Sequence, residues 1–437
     1  MTQRIFLHVG SPKTGTTFLQ QVLWSQRGRA QAQGLLLPLK SFNDHYLATR
    51  DVRHDADDPE IPKRAVGIWD KFVAESLAWE GTVLISHELF AGASAEHARA
   101  AIERFGQDAE VHVVLTARDL ARQIPAEWQE HVKHRSTETY DAFLARLREE
   151  DPRQWFWLVQ DCAGVLERWG ASLPRDRVHV VTVPPAGSDP SVLWTRFAGL
   201  LGLDPDSFDL EGSRSNTSLG FEQAELLRQL NERLGDRIPF PGPYSPDVKE
   251  LFAQTVLARH PGLKIELTGD AFRFAADRSR RMAEEIKALD VDVVGDLAEL
   301  VPDGHPSADD DGSAPVIAQA RLLEESMEAI IGVLEEYKLK RRENADMRRE
   351  LVELRNRLRA TDREFAQNAA DRAKGGIIDE YEQLIYDMRY RPIPHLGVGL
   401  SQRWPWLMSV RHRYWATAGF LRRTRARLRG LRRRDGA

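Results

Sequence analysis

Gly10-Ser11-Pro12-Lys13-Thr14-Gly15-Thr16-Thr17-Phe18 follows directly on the apolar run Ile5-Phe6-Leu7-His8-Val9 and leads into a helical stretch over 17–26. A strand, a glycine-containing turn and a helix start make an anion cradle, because backbone N–H groups and the helix dipole converge on one point. Gly10 and Gly15 let backbone approach oxygen atoms closely, Thr16 and Thr17 add hydroxyls, and Lys13 adds a mobile charge. Working outward, 82–86, 111–117 and 178–183 are further short apolar runs rich in β-branched residues. Such runs without polar alternation are strands buried on both faces of a parallel sheet. Helical stretches over 95–105, 140–149 and 155–169 lie between them, and 270–289 follows. Alternating strands and helices predict an α/β fold over 1–300, a three-layer parallel sheet of P-loop type.

The loop is not a Walker A sequence. That motif places Lys directly after the second glycine, with a hydroxyl next to it for Mg²⁺. Here Thr16 takes that place and the lysine stands at position 13. A doubly charged phosphoryl group usually needs a metal to offset its charge. A singly charged sulfuryl group needs less, so the arrangement favours sulfuryl transfer without a metal.

Pro12-Lys13-Thr14-Gly15-Thr16-Thr17-Phe18 resembles the P-K-[ST]-G-T-T-[WF] loop of bacterial sulfotransferases that use 3′-phosphoadenosine 5′-phosphosulfate. The resemblance covers residues 1 to about 300 and implies that co-substrate and no metal. It gives Lys13 to the bridging and sulfuryl oxygens, where it stabilises the leaving phosphate. Ser11, Thr14, Gly15, Thr16 and Thr17 would hold the 5′-phosphate, with Phe18 near the adenine. The family's second motif, a strand-end Arg and a Ser eight residues on, grips the 3′-phosphate. Arg118 fits, but Ala126 stands where the Ser is expected. Arg122, Gln123 or the stretch Arg214-Ser215-Asn216-Thr217-Ser218 are candidates to replace it. Arg214, Asn216 and Ser218 are therefore added to the donor site, although Ser218 serves equally as a helix N-cap.

Transfer needs a base for the acceptor's proton. The run 82–86 ends in His87-Glu88, and in this fold the acceptor lies beyond the carboxyl ends of the strands. Sulfotransferases use either a Glu or a His at this strand end. Successive side chains on a strand face opposite ways, so one of the two faces the sulfuryl group. Glu88 is placed ahead of His87. His8 reads as a packed neighbour, and Trp128 with Trp155-Phe156-Trp157 reads as core. The acceptor is a hydroxyl or amine compound that the sequence does not name, and a carbohydrate or glycolipid suits it. Two other functions stay open: a P-loop kinase-like nucleotide-dependent transferase, and a non-catalytic membrane-associated scaffold.

Beyond 300 the character changes. An acidic, turn-rich linker over 301–315 precedes a helix over 316–370. Leu323, Met327, Ile330, Leu334 and Tyr337 repeat at 4-3-4-3 spacing, as do Met347, Leu351, Leu354 and Leu358 one residue out of phase. These seams suggest either a coiled-coil homodimer through 316–365, which is placed first, or one amphipathic helix lying on its own domain. The region 371–437 is a basic, aromatic-rich tail. Its part 401–437 holds eleven Arg against Asp435 alone, while the whole chain of 437 residues is net −5, so the body is strongly acidic. Arg interleaved with Trp404, Trp406 and Trp415 reads as an anionic membrane surface element, with nucleic acid ranked second. One Cys (Cys162) excludes an internal disulfide, and the scattered His residues show no metal-ligand spacing. The expected location is cytoplasmic, peripheral on the inner face of the cell membrane.

Overall fold

The computed structural model describes residues 4–53, 64–211, 218–260, 262–303 and 317–372, with the backbone alone for 358 and 362–372. Arg214, Asn216, most of the acidic linker and the basic tail lie outside the described residues. Residues 1–338 form one compact unit and 339–437 a second.

The first unit is built on a six-stranded, wholly parallel sheet in the order β2-β3-β1-β4-β5-β6. The strands are β1 (Arg4–Gly10), β2 (Leu35–Leu36), β3 (Thr82–Ser86), β4 (Glu110–Ala117), β5 (Val178–Thr182) and β6 (Asp292–Val294). Alternation along each strand feeds two cores. Ile5, Leu7, Val9, Val83, Ile85, Val113 and Leu115 face one layer of helices. Phe6, Leu84, Val114 and Val181 face the other. Burial on both faces is why these strands read as continuous apolar runs.

Helices α1 (Thr16–Ser25), α2 (Arg27–Ala32), α3 (Phe42–Val52), α4 (Ile68–Leu77) and α5 (Ala95–Glu103) link the first four strands. After β4 come α6 (Leu120–Lys133), α7 (Tyr140–Leu147), α8 (Trp155–Gln160) and α9 (Cys162–Gly170). The sequence reading of one helix over 155–169 is corrected here: the chain breaks at Asp161, whose ψ of 89° is not helical. Next come α10 (Ser191–Leu200), α11 (Phe221–Leu234), a π-helical segment (Ser245–Val256) and α12 (Gly269–Ala288). Strand β1 is flanked by β3 on one side and β4 on the other, so the chain's direction of travel switches there. Ligand crevices of open parallel sheets form at such a switch, beyond the carboxyl ends of the strands.

The long helix α13 (Gln319–Arg372) begins inside the first unit. Glu325, Ala329 and Glu336 are buried on one side of it. Gln223 donates to Glu325 at 2.8 Å, Arg259 pairs with Glu336, and Gly332 lies against Val256, where a Cβ would come within 2.7 Å. The seam residues Leu323, Met327, Ile330, Leu334 and Tyr337 occupy another side and are 55% to 64% exposed. Among the described residues no helix is long and apolar enough to cross a membrane.

Candidate active site

The loop after β1 is held from below. Gly10 has φ +131°, and a Cβ there would lie 2.9 Å from the Glu88 carbonyl, so only glycine lets β1 and the end of β3 approach so closely. Lys13 and Gly15 also take left-handed backbone, with φ of 62° and 85°. Such a left-handed turn can aim successive N–H groups at one concavity. Helix α1 then starts without a side-chain cap and without an acidic residue in its first turn, leaving its end open to an anion.

Polar contacts lock this conformation. Ser11 N–H donates to Thr116 O at 3.0 Å, and Thr116 Oγ1 donates to Gly10 O at 2.9 Å. Thr14 Oγ1 donates to Ser11 O and contacts Thr116 Oγ1. Gln160 Nε2 donates to Pro12 O at 3.1 Å and Gln123 Nε2 to the same oxygen. Thr14 is thus a buried support; Ser11 is buried too, its Oγ without a hydrogen-bond partner, and neither side chain lines the two clefts at the strand ends. Phe18 packs with the cluster of Leu19, Leu193 and Phe197 and likewise lines neither cavity. Gln123 is fully buried as a brace of the loop, which removes it from the candidates for the Ala126 gap.

Two clefts meet at the strand ends. One, of about 610 Å³, is lined by Lys13, Gly15, Thr16, Thr17 and Glu88, facing Glu127, Glu130 and Lys133 of α6 and Lys249 of the π-helical segment. The other, of about 1220 Å³, is lined by Arg122, Leu219, Lys264, Leu267 and Phe272 among others. Arg118, Ala126, Gln129 and Ser218 border both. Ser218 therefore shares both clefts with Ala126.

Arg118 donates through Nη1 to Lys13 O at 3.1 Å, while its buried Nε has no hydrogen-bond partner. Burial, helped by the Arg122 charge, lowers its pKa to about 10. An orphaned guanidinium N–H at the rim of both clefts is what a phosphate oxygen would complete. Glu88 lines the smaller cleft, and its buried Oε2 also lacks a hydrogen bond. His87 turns away. Its Nδ1 accepts from Leu89 N–H at 3.2 Å, its ring stacks on Phe42, and burial lowers its pKa. His8 is a buried neighbour bonded to Ser86 Oγ at 2.8 Å, its pKa lowered to about 4 by burial.

Helix α6 brings residues that the sequence reading missed. Glu130 Oε2 is 2.5 Å from Lys13 Nζ, and its Oε1 is 2.8 Å from Lys249 and 3.0 Å from His134. Burial alone would raise this carboxyl. The His134 hydrogen bond and the charges of Lys13 and Lys249 outweigh it and hold Glu130 well below the usual range. Glu127, buried beneath it and bonded by Gln160 at 2.9 Å, is instead pushed up to about 7, first by burial. Glu127, Glu130 and Lys133 recur every three residues on a helix, which is a legible signal. Lys249 joins them from 119 residues beyond Glu130, and no local pattern announces it. Trp128, Phe156 and Trp157 are core, but Trp155 is a wall of the smaller cleft.

No protein-family model matches this chain, and no curated protein matches it. Among solved structures, it matches the crystal structure of a sulfotransferase from Alicyclobacillus acidocaldarius, at 18% identity and a TM-score of 0.33. The match covers 49% of this chain and 85% of that one.

Proposed function

We propose that the first unit transfers a sulfuryl group from 3′-phosphoadenosine 5′-phosphosulfate to a hydroxyl (or amine) of a polar acceptor. The observation that carries this reading is the meeting, in one cleft, of a lysine placed before the second glycine, an uncapped helix start and the Glu88 carboxylate. The donor supplies an activated sulfur joined to a phosphate through a bridging oxygen. N–H groups of the loop and α1, with Thr16 and Thr17, hold the 5′-phosphate. Arg118 and Ser218 receive the 3′-phosphate, together with Arg214 and Asn216. Glu88 takes the proton of the acceptor as its oxygen bonds to sulfur. The bond from sulfur to the bridging oxygen breaks, and Lys13 meets the charge that develops on that oxygen.

Polar and charged side chains outnumber apolar ones around the smaller cleft, and Trp155 is its large apolar surface, a mixture that suits a sugar better than a lipid. Incubation with ³⁵S-labelled donor and a sugar panel tests the reading. Glu88→Gln should slow label transfer by about a hundredfold or more, and a kinase would show itself by needing Mg²⁺ and ATP instead. Membrane attachment through 401–437 belongs to the same proposal. Deleting that segment should release the protein from anionic vesicles, and binding that persists would end the anchor reading.

A further inference from the structure

Lys133 is the last residue of α6 and part of the wall of the smaller cleft. It is 7% exposed, and among the described residues no hydrogen bond or ion pair reaches its ammonium. Glu130, one turn earlier, is already shared by Lys13, Lys249 and His134. Burial lowers the Lys133 pKa to about 8, with Lys13 and Lys249 adding to the fall and Glu130 opposing it. It therefore remains mostly charged at neutral pH. An ammonium that lines a cleft beside one carboxylate already shared by three other groups is short of counter-charge, and an anion entering the cleft would complete it.

Its position tells which anion. Arg118 and the loop gather at the amino end of α6, and Lys133 is at the carboxyl end of a helix about 20 Å long. Lys13 reaches Glu130 between them. Phosphates of the donor belong at the first end and the reacting sulfur near Lys13, which leaves Lys133 to the acceptor. We infer that Lys133 recognises an anionic group, a carboxylate or a phosphate, on the acceptor that receives the sulfuryl group. This assignment rests on the sulfuryl-transfer reading for its orientation.

Calorimetry on the full chain saturated with 3′,5′-adenosine bisphosphate tests it, using glucuronate, glucose 6-phosphate and glucose as probes. In the wild type one of the two anionic probes should bind about tenfold or more tightly than glucose. The choice between them tells carboxylate from phosphate. Lys133→Met should abolish the preference with bisphosphate affinity unchanged, and Lys133→Arg should keep it, which also controls for folding. Equal binding of all three probes to the wild type, or a preference that survives in Lys133→Met, overturns the assignment. Failure of the bisphosphate to bind wild type overturns the sulfuryl-transfer reading instead. The same sugar titrations without bisphosphate then decide Lys133 on its own.

Discussion

Lys13 Nζ ends 2.5 Å from Glu130 Oε2, tying the loop after β1 to the middle of α6. The ammonium that the proposed reaction needs on a leaving oxygen is held by a carboxylate, so donor binding must exchange one anion for another. Glu130 is left with Lys249 and His134 on its other oxygen when Lys13 departs. Glu130→Gln removes the competitor. Both partners are partly exposed, so the ion pair is worth about 1 kcal/mol. Calorimetry should show 3′,5′-adenosine bisphosphate binding about threefold to tenfold tighter in this variant. Unchanged or weaker binding would show that the pair does not restrain the lysine.

Ala126 borders both clefts beside Arg118, where a hydroxyl could meet the same phosphate. Ala126→Ser should tighten bisphosphate binding by about tenfold to a hundredfold, the worth of one added hydrogen bond to a charged group. 5′-AMP, which lacks the 3′-phosphate, should gain nothing. An equal gain for both nucleotides would place the 3′-phosphate elsewhere.

Glu127 titrates in a buried site, with its pKa raised from 4.5 to about 7. A carboxyl raised in the folded state favours the protonated form. Stability is therefore undiminished below the unfolded value near 4.5 and falls as pH rises through 7. Glu127→Gln keeps an oxygen for Gln160 and carries no charge. Denaturant unfolding at pH 8 should find it more stable than wild type by about 2–3 kcal/mol, and at pH 4 nearly equal. A gain that does not depend on pH would contradict the cause assigned.

The exposed seam of α13 predicts self-association, and we propose a second copy as its cover. The seam is acidic at Glu324 and Glu328 and basic at Lys338, so two antiparallel seams would set opposite charges together. Light scattering should show a dimer at micromolar concentration. Ile330→Glu, at a position 55% exposed, should give a monomer with an unchanged thermal midpoint. A wild-type monomer at high concentration would remove the proposal.

Strands β1, β3, β4 and β5 were legible because burial on both faces leaves no polar alternation to confuse the period. Strand β2 has two residues, and β6 is short and partly exposed with Asp292 at its start, so neither stood out. Lys13, Thr16 and Thr17 from the loop and the start of α1 line one cleft with Glu88 and Arg118, which follow β3 and β4. Thr14 turns inward to hold the loop's own backbone at Ser11 O, and Ser11 is buried with it, its hydroxyl unpartnered. The Glu127–Glu130–Lys133 face is helical spacing that becomes meaningful only when the loop is known to pack across it.

Donor recognition is the central claim, and metal-free calorimetry of 3′,5′-adenosine bisphosphate against wild type and Lys13→Ala tests it most directly. Arg118's orphaned Nε and the open end of α1 predict tight binding that is lost when the 3′-phosphate is removed. Lys13→Ala should weaken it modestly while transfer is abolished. No binding, or a preference for ATP with Mg²⁺, would contradict the account and return the loop to the kinase or scaffold readings.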